Sequence, residues 1–245
     1  MDRRRISRIA HTHHPVAAPL DDATVRRLLG RSLRRGDERV LDLGCGEGAW
    51  LLRALGDHPG VTADGVDLDT GALEKAAHEA AALGVGDRLT LHERDAGDFT
   101  SPHPFDVVLS VGAAHAFGGL LPTLAAARAH LAPGGTVLVG DGFWEREPTP
   151  ELVDVLGEYE DLASTVDRIV ADGWTPVLAH VSSIREWDEY EWSWTGSLAE
   201  WALDHPADPD SGAALEAAAV HRAEWLHGYR GTFGFVTLLL RRTTA

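Results

Sequence analysis

Three glycines alternate with other residues in the segment VLDLGCGEGAW, residues 40–50, between an apolar run and a helical pattern. Gly44, Gly46 and Gly48 lack a Cβ atom, so the backbone can approach a ligand closely where a strand leads into a helix. An acid, Asp42, stands in the same turn. These features are typical of a loop that binds a nucleotide-type cofactor. The spacing is G-x-G-x-G and not the G-x-G-x-x-G of dinucleotide sites, so a nicotinamide cofactor is the weaker interpretation.

A histidine lies among small residues in the segment SVGAAHAFGG, residues 110–119. An imidazole titrates near pH ~6.5, so His115 can accept a proton from an alcohol, phenol, thiol or ammonium group of a substrate. The alternative is that His115 hydrogen-bonds a loop carbonyl or stacks on the substrate, because alignment alone accelerates many transfer reactions. Both interpretations stay open at this point.

Two further groups of reactive side chains do not predict a site. His11, His13 and His14 stand within four residues and cannot readily converge on one metal ion, so we predict no metal. Cys45 is the single cysteine, which excludes an intramolecular disulfide and a multi-cysteine metal site. Although a helix N-terminus can lower the pKa of a thiol, we interpret Cys45 as a packing residue and not as a nucleophile.

Strand-like and helix-like patterns alternate through the first 140 residues. One helix is predicted after the second strand, with Thr70 as its N-cap and Gly84 as its C-cap. This alternation predicts right-handed crossovers and a parallel sheet with helices on both faces, its first five strands being buried. Later in the chain, residues 151–172 are expected to form one or two helices. The predicted strands are residues 40–43, 61–67, 89–93, 105–111, 136–139, 175–184 and 233–240.

A tryptophan-rich segment, residues 185–230, separates the sixth predicted strand from the last one. We expect it to pack on the sheet and cover the carboxyl edge, where open α/β sheets bind ligands. Several rings together favour an acceptor with an apolar or cationic face, whereas core packing is the alternative for each single ring. The segment holds Trp187, Trp192, Trp194, Trp201 and Trp225, five of the eight tryptophans.

The charge of the chain limits its partners. The formal net charge is -16, which repels phosphate backbones and anionic membranes. The first 39 residues carry a local excess of arginine, which is either an arm for RNA or an acidic partner, or a solvated helix face. An apolar signal-peptide core does not follow these arginines, and no window approaches a membrane span. We therefore expect a cytoplasmic protein that binds neither nucleic acid nor membrane.

The glycine loop and four later segments resemble the class I S-adenosylmethionine-dependent methyltransferases. The resemblance implies an α/β, Rossmann-like sheet of seven strands, mostly parallel with an antiparallel last strand, and here a helical Trp-rich insertion before that strand. It also implies S-adenosyl-L-methionine as the cofactor and S-adenosyl-L-homocysteine as the product. The four later segments are GVDLDTGALEKA (65–76), HERDAGDF (92–99), FDVVLSVGA (105–113) and LAPGGTVLVGD (131–141).

The resemblance implies roles around the methionine half of the cofactor. Asp42 would lie near its amino group, and Gly44, Cys45 and Gly46 would lie against its methionine part. Val111 ends the fourth predicted strand, next to the position that faces the methyl group in this family. That position lacks the Asn/Asp-Pro-Pro-Tyr/Phe run of enzymes that methylate DNA bases or protein glutamine, which argues against those acceptors.

The resemblance also implies roles around the adenosine half. Asp67 would accept hydrogen bonds from both ribose hydroxyls, which one carboxylate can do at once. Leu68 would touch the adenine face. Asp95 would accept from the adenine amino group, and Ala96 would offer its backbone N–H. The alternative for both acids is a turn or capping role.

A narrower likeness connects the chain to bacterial small-molecule methyltransferases. It is carried by IAHTHHPVAAPL, GAAHAFGG, GDGFWEREP and EWDEYEW. It implies that His11 and His14 help to close an N-terminal segment over the cofactor or acceptor. On these grounds the candidate catalytic residues are His115, Glu145 and Tyr190, and the candidate substrate-binding residues are His14, Phe143, Trp144, Trp187 and Trp194.

The sequence thus predicts one methyltransferase domain, residues 1–245, acting on a small molecule in bacterial specialised metabolism through in-line displacement at an O, N, S or C atom. Its parts would be an N-terminal helical cap (1–38), a cofactor-binding core (39–141) and a helical substrate lid (185–230). The alternatives are non-methylating chemistry on the same fold, a nucleic-acid methyltransferase and a binding module without activity. The oligomeric state is not predicted.

Overall fold

A computed structural model describes residues 1–243, so the last two residues of the predicted domain lie outside the described chain. Its strands are β1 (Arg39–Leu43), β2 (Thr62–Asp67), β3 (Leu89–Glu93), β4 (Phe105–Val111), β5 (Leu131–Trp144), β6 (Trp174–Val181) and β7 (Phe233–Arg242). Its α-helices are α1 (Arg3–Ala10), α2 (Asp22–Ser32), α3 (Ala49–Asp57), α4 (Thr70–Ala82), α5 (Leu120–His130), α6 (Pro150–Leu156), α7 (Leu162–Ala171), α8 (Ile184–Asp204) and α9 (Ser211–Glu224). Two 3₁₀ turns, Gly86–Arg88 and Ala114–Phe117, and a π-helical turn, Trp225–Tyr229, complete the elements of residues 1–243.

The strands of residues 1–243 form one seven-stranded sheet in the order β3-β2-β1-β4-β5-β7-β6. β1 pairs in parallel with β2 and β4, β2 with β3, and β4 with β5. The last strand is antiparallel and pairs with β6. The predicted Rossmann-like fold class, with a helical insertion before the last strand, is therefore confirmed. The direction in which strands are added reverses between β1 and β4, and open α/β sheets bind ligands at such a point.

The predicted cap of α4 was one residue wrong. The side chain of Asp69, and not that of Thr70, is the N-cap, because its Oδ1 accepts a hydrogen bond from the Ala72 N–H at 3.1 Å. Both residue types cap helices well, so composition did not decide between them. At the other end, Gly84 follows the cap residue Leu83 with φ +69°, the left-handed conformation that glycine adopts easily.

The sixth strand ends earlier than the predicted residue 184. Ser183 begins a helix and forms a capping box with Glu186: the Ser183 Oγ accepts from the Glu186 N–H, and the Glu186 carboxylate accepts from the Ser183 N–H at 2.8 Å. The S-x-x-E spacing was a visible signal for this start. β6 therefore ends at Val181, and α8 is 21 residues long.

The fifth strand is longer than predicted, since β5 spans 14 residues and not four. Phe143 and Trp144, which lie beyond the predicted strand 136–139, are the last residues of β5. Glu145 is the first residue after it. Residues 131–135, which precede the predicted strand, also lie in β5 because α5 ends at His130.

The chain divides into two compact units. The sheet unit comprises residues 21–141, residues 163–181 and the described residues 236–243. The helical unit comprises residues 1–20, 142–162 and 182–235. The predicted division into cap, core and lid stays a prediction.

The core of the sheet unit lies along β1 and β4. Val40, Leu41 and Leu43 of β1 and Val108 and Leu109 of β4 are completely buried. Such continuous apolar runs are typical of parallel strands covered on both faces, and each buried side chain contributes about 1.5–3 kcal/mol. The expectation that all five early strands are buried was wrong for β3, which lies at the sheet edge and is half-exposed.

The core of the helical unit forms where α1, α8 and α9 pack together. Leu198 of α8 is completely buried among alanines: Ala10 of α1, Ala202 of α8, and Ala214 and Ala218 of α9. Small side chains at these positions let the helix backbones approach closely. Residues 1–243 contain no helix that is both long and apolar enough to cross a membrane.

This packing makes Leu198 the side chain on which the helical unit depends most directly. We expect Leu198→Ala to lower the free energy of unfolding by about 2–5 kcal/mol, because it removes buried methyl groups and leaves a cavity. Leu203→Ala in the same helix is the matched control, since Leu203 is 69% exposed. It should change stability by less than about 0.5 kcal/mol. Urea unfolding followed by circular dichroism would test both, and equal effects would contradict the proposed core.

Candidate functional site

The loop after β1 is built on backbone conformations that favour glycine. Gly44, Gly46 and Gly48 have φ values of +86°, +50° and +71°. The N–H groups of Gly44 and Cys45 both donate to the carbonyl of Val66, at 2.9 and 3.0 Å. The loop is thereby fixed to the neighbouring strand β2, and α3 begins directly after it.

The same loop also approaches the turn after β4 closely. A Cβ atom on Gly44 would lie 2.5 Å from the Cβ of Ala113, a distance that real side chains do not adopt. The buried hydroxyl of Ser110 donates to the carbonyl of Leu43 at 3.1 Å and joins the ends of the two strands. Glycine is therefore required at position 44 for the two turns to meet.

Asp67, the last residue of β2, connects the loop with the start of α4. Its Oδ2 accepts from the Gly46 N–H at 2.8 Å, and its Oδ1 accepts from the Asp69 N–H at 2.9 Å. Each carboxylate oxygen has a second lone pair, so both can still accept a hydrogen bond from a ligand. The carboxylate is therefore both structurally fixed and chemically available.

Asp42 lies beneath this loop and is 2% exposed. Burial, with the nearby charge of Asp67 as the smaller cause, raises the pKa of Asp42 to about 7. Its carboxyl group consequently changes charge in the neutral pH range. A positively charged ligand group beside it would favour the ionised form.

Cys45 is 7% exposed, and its sulfur faces the interior. A Cβ atom on Gly65 would lie 2.9 Å from the sulfur, so the thiol fills the space that this glycine leaves. Burial is the main cause that raises the pKa of the thiol. A buried neutral thiol is a packing group and a poor nucleophile.

The other predicted residues of the sheet unit follow neighbouring strand ends. Leu68 is 54% exposed, directly after β2. After β3, Asp95 accepts from the Gly97 N–H at 2.8 Å and Ala96 is buried. Val111 ends β4, and His115 stands exposed in the turn that follows. Because parallel strands share one carboxyl edge, these loops define the candidate site of the unit.

Comparison with known proteins shows the family of the chain and the cofactor of its relatives. Residues 41–137 match the family model for a methyltransferase domain. The protein YjhP of Escherichia coli, itself uncharacterised, is 30% identical over 226 residues, 89% of each chain. A methyltransferase from Geobacter sulfurreducens, solved with S-adenosyl-L-homocysteine, superposes with a TM-score of 0.88 at 26% identity over 97% of this chain and 98% of its own. The chain belongs to the S-adenosylmethionine-dependent methyltransferases.

Shorter matches reach methyltransferases with named acceptors. The 27-O-demethylrifamycin SV methyltransferase of Amycolatopsis mediterranei is 31% identical over 129 residues, 51% of this chain and 47% of the relative. The ribosomal protein uL3 glutamine methyltransferase of Bradyrhizobium diazoefficiens is 37% identical over 73 residues, 30% of this chain and 23% of the relative. Relatives with different acceptors thus match parts of this methyltransferase, so these partial matches do not identify its acceptor.

The residues of the methyltransferase fit its cofactor. The space beside Gly46 is open, since a Cβ atom there would meet nothing within 4 Å. The Asp67 carboxylate accepts from the N–H of the same glycine and keeps lone pairs that could accept from ribose hydroxyls. The contacts of the individual residues with the cofactor stay predictions.

In the helical unit, the Tyr190 hydroxyl is hydrogen-bonded to His11, the C-cap residue of α1. The Nδ1 of His11 lies 2.8 Å from the Ser7 carbonyl, which only accepts, so this nitrogen carries the proton. The Nε2 of His11 then accepts from the Tyr190 hydroxyl at 3.1 Å. Burial, followed by the Glu191 charge, raises the pKa of the Tyr190 phenol, so Tyr190 is a proton donor at neutral pH. The ring of His14 packs edge-on against Tyr190.

The predicted aromatic residues occupy different environments in the helical unit. Phe143 is completely buried and Trp144 is 6% exposed, with the Trp144 ring against Phe233. Trp187 is half-buried and lies 5.9 Å from Phe233 between ring centres. Trp194 stacks on His221 at 3.9 Å. Their predicted contact with a substrate therefore stays a prediction, and for Phe143 and Trp144 the visible role is packing.

A buried polar cluster beside Trp194 was not among the predicted site residues. Glu191 is 2% exposed, and its two oxygens accept from the Tyr229 hydroxyl at 2.7 Å and from the His221 Nε2 at 2.8 Å. A buried charge needs such partners. The sequence signal was an acid on the buried face of α8. It can be recognised only when the ends and the buried face of this helix are known.

The raised pKa of Asp42 gives a pH-dependent prediction for the methyltransferase. Between about pH 4 and 7 the unfolded chain loses this proton while the native state keeps it, so wild-type stability falls with rising pH. Asp42→Asn removes that titration. We expect the free energy of unfolding of the variant minus that of wild type to increase by about 1.4 kcal/mol per pH unit between pH 4 and 7. Above about pH 7 this difference should stay constant.

Urea unfolding at four pH values between 5 and 8 would measure this difference. The matched control is Asp98→Asn, which changes an exposed carboxylate in the loop after β3. A difference between Asp42→Asn and wild type that does not change with pH would show that Asp42 is ionised throughout.

Proposed function

We propose that this methyltransferase transfers a methyl group to a small molecule of bacterial specialised metabolism. The observation that carries the methyl-transfer part is the glycine loop fixed to Asp67 at the point where the strand order reverses. The likeness to the 27-O-demethylrifamycin SV methyltransferase covers 51% of this chain and that to the glutamine methyltransferase only 30%, which favours a small-molecule acceptor. The net charge of -16 also disfavours acceptors that carry a phosphate backbone.

The residues of the sheet unit would hold the cofactor. Asp42, once ionised, would pair with the ammonium group, and the fixed carboxylate of Asp67 would accept from the ribose hydroxyls. Asp95 and the Ala96 N–H would recognise the adenine edge, with Leu68 against its face. When bound, S-adenosylmethionine supplies a methyl group already activated on a positively charged sulfur. The protein is then left with orienting the acceptor and accepting its proton.

Two histidines are candidates for handling that proton. His115 is exposed, and no hydrogen bond, ion pair or ring contact of its imidazole occurs within residues 1–243, so its ring nitrogens are available. The Nε2 of His11 is an acceptor that already holds the hydrogen of Tyr190. We assign the proton acceptor to His115 and an orienting hydrogen bond to the Tyr190 hydroxyl.

Acceptor recognition would come from the helical unit. We assign it to Glu145 and to the ring-bearing residues His14, Trp187 and Trp194, whereas the buried rings of Phe143 and Trp144 contribute through packing. Aromatic rings provide a large apolar contact area with little loss of side-chain freedom, and Glu145 adds a negative charge. These groups suit an acceptor that has an apolar part and a basic group.

The ion pairs of arginines near the N-terminus favour a small-molecule acceptor over a nucleic-acid substrate. Arg5 forms ion pairs with Asp208 and Asp210 inside the helical unit. Arg26 pairs with Asp22 and Asp57 inside the sheet unit. These arginines are neutralised by the fold itself, and phosphate groups would have to compete with the paired carboxylates.

Cofactor binding is the first test of the proposal. We expect isothermal titration with S-adenosyl-L-homocysteine to give a complex, and Asp67→Asn to weaken it at least about tenfold, since the amide replaces one acceptor oxygen by a donor. Asp98→Asn is the control and should bind like wild type. Equal binding by wild type and Asp67→Asn would contradict the role of Asp67, and the absence of binding by wild type would contradict the proposed function.

The role of His115 is tested by turnover, measured as S-adenosyl-L-homocysteine released with an acceptor found by screening small amines, alcohols and phenols. We expect His115→Gln to lower turnover about 100-fold or more and to remove the limb of the pH–rate profile that a histidine base produces. Its affinity for S-adenosyl-L-homocysteine should not change. Undiminished turnover with a wild-type pH profile would end the assignment.

A further inference from the structure

A cavity of about 230 Å³ lies within the helical unit, at the start of α8 and next to the end of β5. Its lining includes Glu145, Arg146, Ser182, Trp187 and Phe233. The volume is below the usual range of drug-sized pockets, about 300–1,000 Å³, so the cavity suits a small metabolite. The lining combines aromatic rings with two opposite charges.

Two polar atoms of this lining lack a partner. Ser182 is 5% exposed, and its buried Oγ has no hydrogen bond within residues 1–243. The buried Nε1 of Trp187 likewise has no acceptor in the described chain. An unsatisfied buried polar group destabilises the folded chain, and an indole N–H can only donate. Both atoms belong to residues that line the cavity.

The two charges of the lining are also unpaired. The side chains of Glu145 and Arg146 are exposed, and the described residues offer neither one a hydrogen bond or an ion pair. Neighbouring charges in the helical unit behave differently: Asp188 binds Arg230 through two hydrogen bonds of 2.8 Å. The cavity therefore presents one free anion and one free cation.

Close packing holds the aromatic wall in place. A Cβ atom on Gly142 would collide with the ring of Phe233, and one on Gly234 would lie 2.9 Å from the Cγ of Glu145. The Phe233 ring is also surrounded by Trp144, at 5.0 Å between ring centres, and by Trp187. A wall fixed in this way loses little freedom when a ligand binds.

We propose that this cavity binds a small zwitterion with an apolar body, such as an amino acid. Its carboxylate lies toward Arg146 and the donors of Ser182 and Trp187. Its ammonium group lies toward Glu145, and its apolar body contacts Trp187 and Phe233. A ligand with a single charge leaves either Glu145 or Arg146 without a partner. Binding of the zwitterion in this cavity is independent of the proposed function. Its use as the methyl acceptor rests on the proposed function.

The test is isothermal titration of the full chain without cofactor, using three probes that share one apolar group: L-leucine, 4-methylpentanoate and isopentylamine. We expect L-leucine to bind at least about tenfold more tightly than either singly charged probe. Glu145→Gln should weaken L-leucine about tenfold and leave 4-methylpentanoate unchanged. Arg146→Gln should weaken L-leucine and 4-methylpentanoate alike.

Two further variants separate this site from nonspecific binding. Trp187→Phe keeps an aromatic ring but removes the unpaired N–H, and it should weaken both carboxylate probes about tenfold. Glu189→Gln is the control, because Glu189 is an exposed acid of α8 that pairs with Arg185 and does not line the cavity. The proposal is overturned if L-leucine binds no better than the singly charged probes, or if Glu145→Gln and Glu189→Gln behave alike. A failure of S-adenosyl-L-homocysteine to bind would leave these results unchanged, so the two proposals fail separately.

Discussion

The hydrogen bonds that Asp67 accepts from Gly46 and Asp69 bring the parts of the sheet unit's candidate site together. They fix the loop after β1 to the end of β2 and to the first turn of α4. The loop can reach Asp67 only with left-handed backbone at its glycines. The charge of Asp67, in turn, is one of the causes that raise the pKa of the buried Asp42. Loop geometry, carboxylate position and the protonation of Asp42 therefore cannot vary independently.

The sheet unit could be predicted in large part because its signals are local. β3 and β4 have the predicted ends, since short strand-like runs bounded by polar residues, proline or glycine mark where a strand begins and ends. Errors occurred where two neighbouring residues were chemically equivalent, as with Asp69 and Thr70, or where a strand continued past glycines, as in β5. The close approach of Gly44 and Ala113 had no signal in the sequence, because contacts between distant strand ends depend on the strand order.

The helical unit was much less predictable, for a physical reason. Its tryptophans were counted but not placed, and the start of α8 became clear only from the capping box of Ser183 and Glu186. The Tyr190 hydroxyl and the carboxylate of Glu191 are neighbours in sequence yet have different partners, His11 in one case and Tyr229 with His221 in the other. Such pairings depend on how three helices pack. Helical periodicity indicates which face of a helix is buried, but not which residues of the other helices that face contacts.

Unpaired buried atoms do not mark a binding site by themselves. The indole N–H of Trp225 is buried and unpaired as well, yet Trp225 packs edge-on against Trp192 and is not part of the cavity lining. The difference at Trp187 is that the unpaired donor coincides with a cavity, a second unpaired group at Ser182 and two unpaired charges. Each unsatisfied group destabilises the folded chain, so a ligand that satisfies several of them binds more tightly and stabilises the fold by mass action. Trp225 does not line that cavity, so a ligand bound there would not satisfy its N–H.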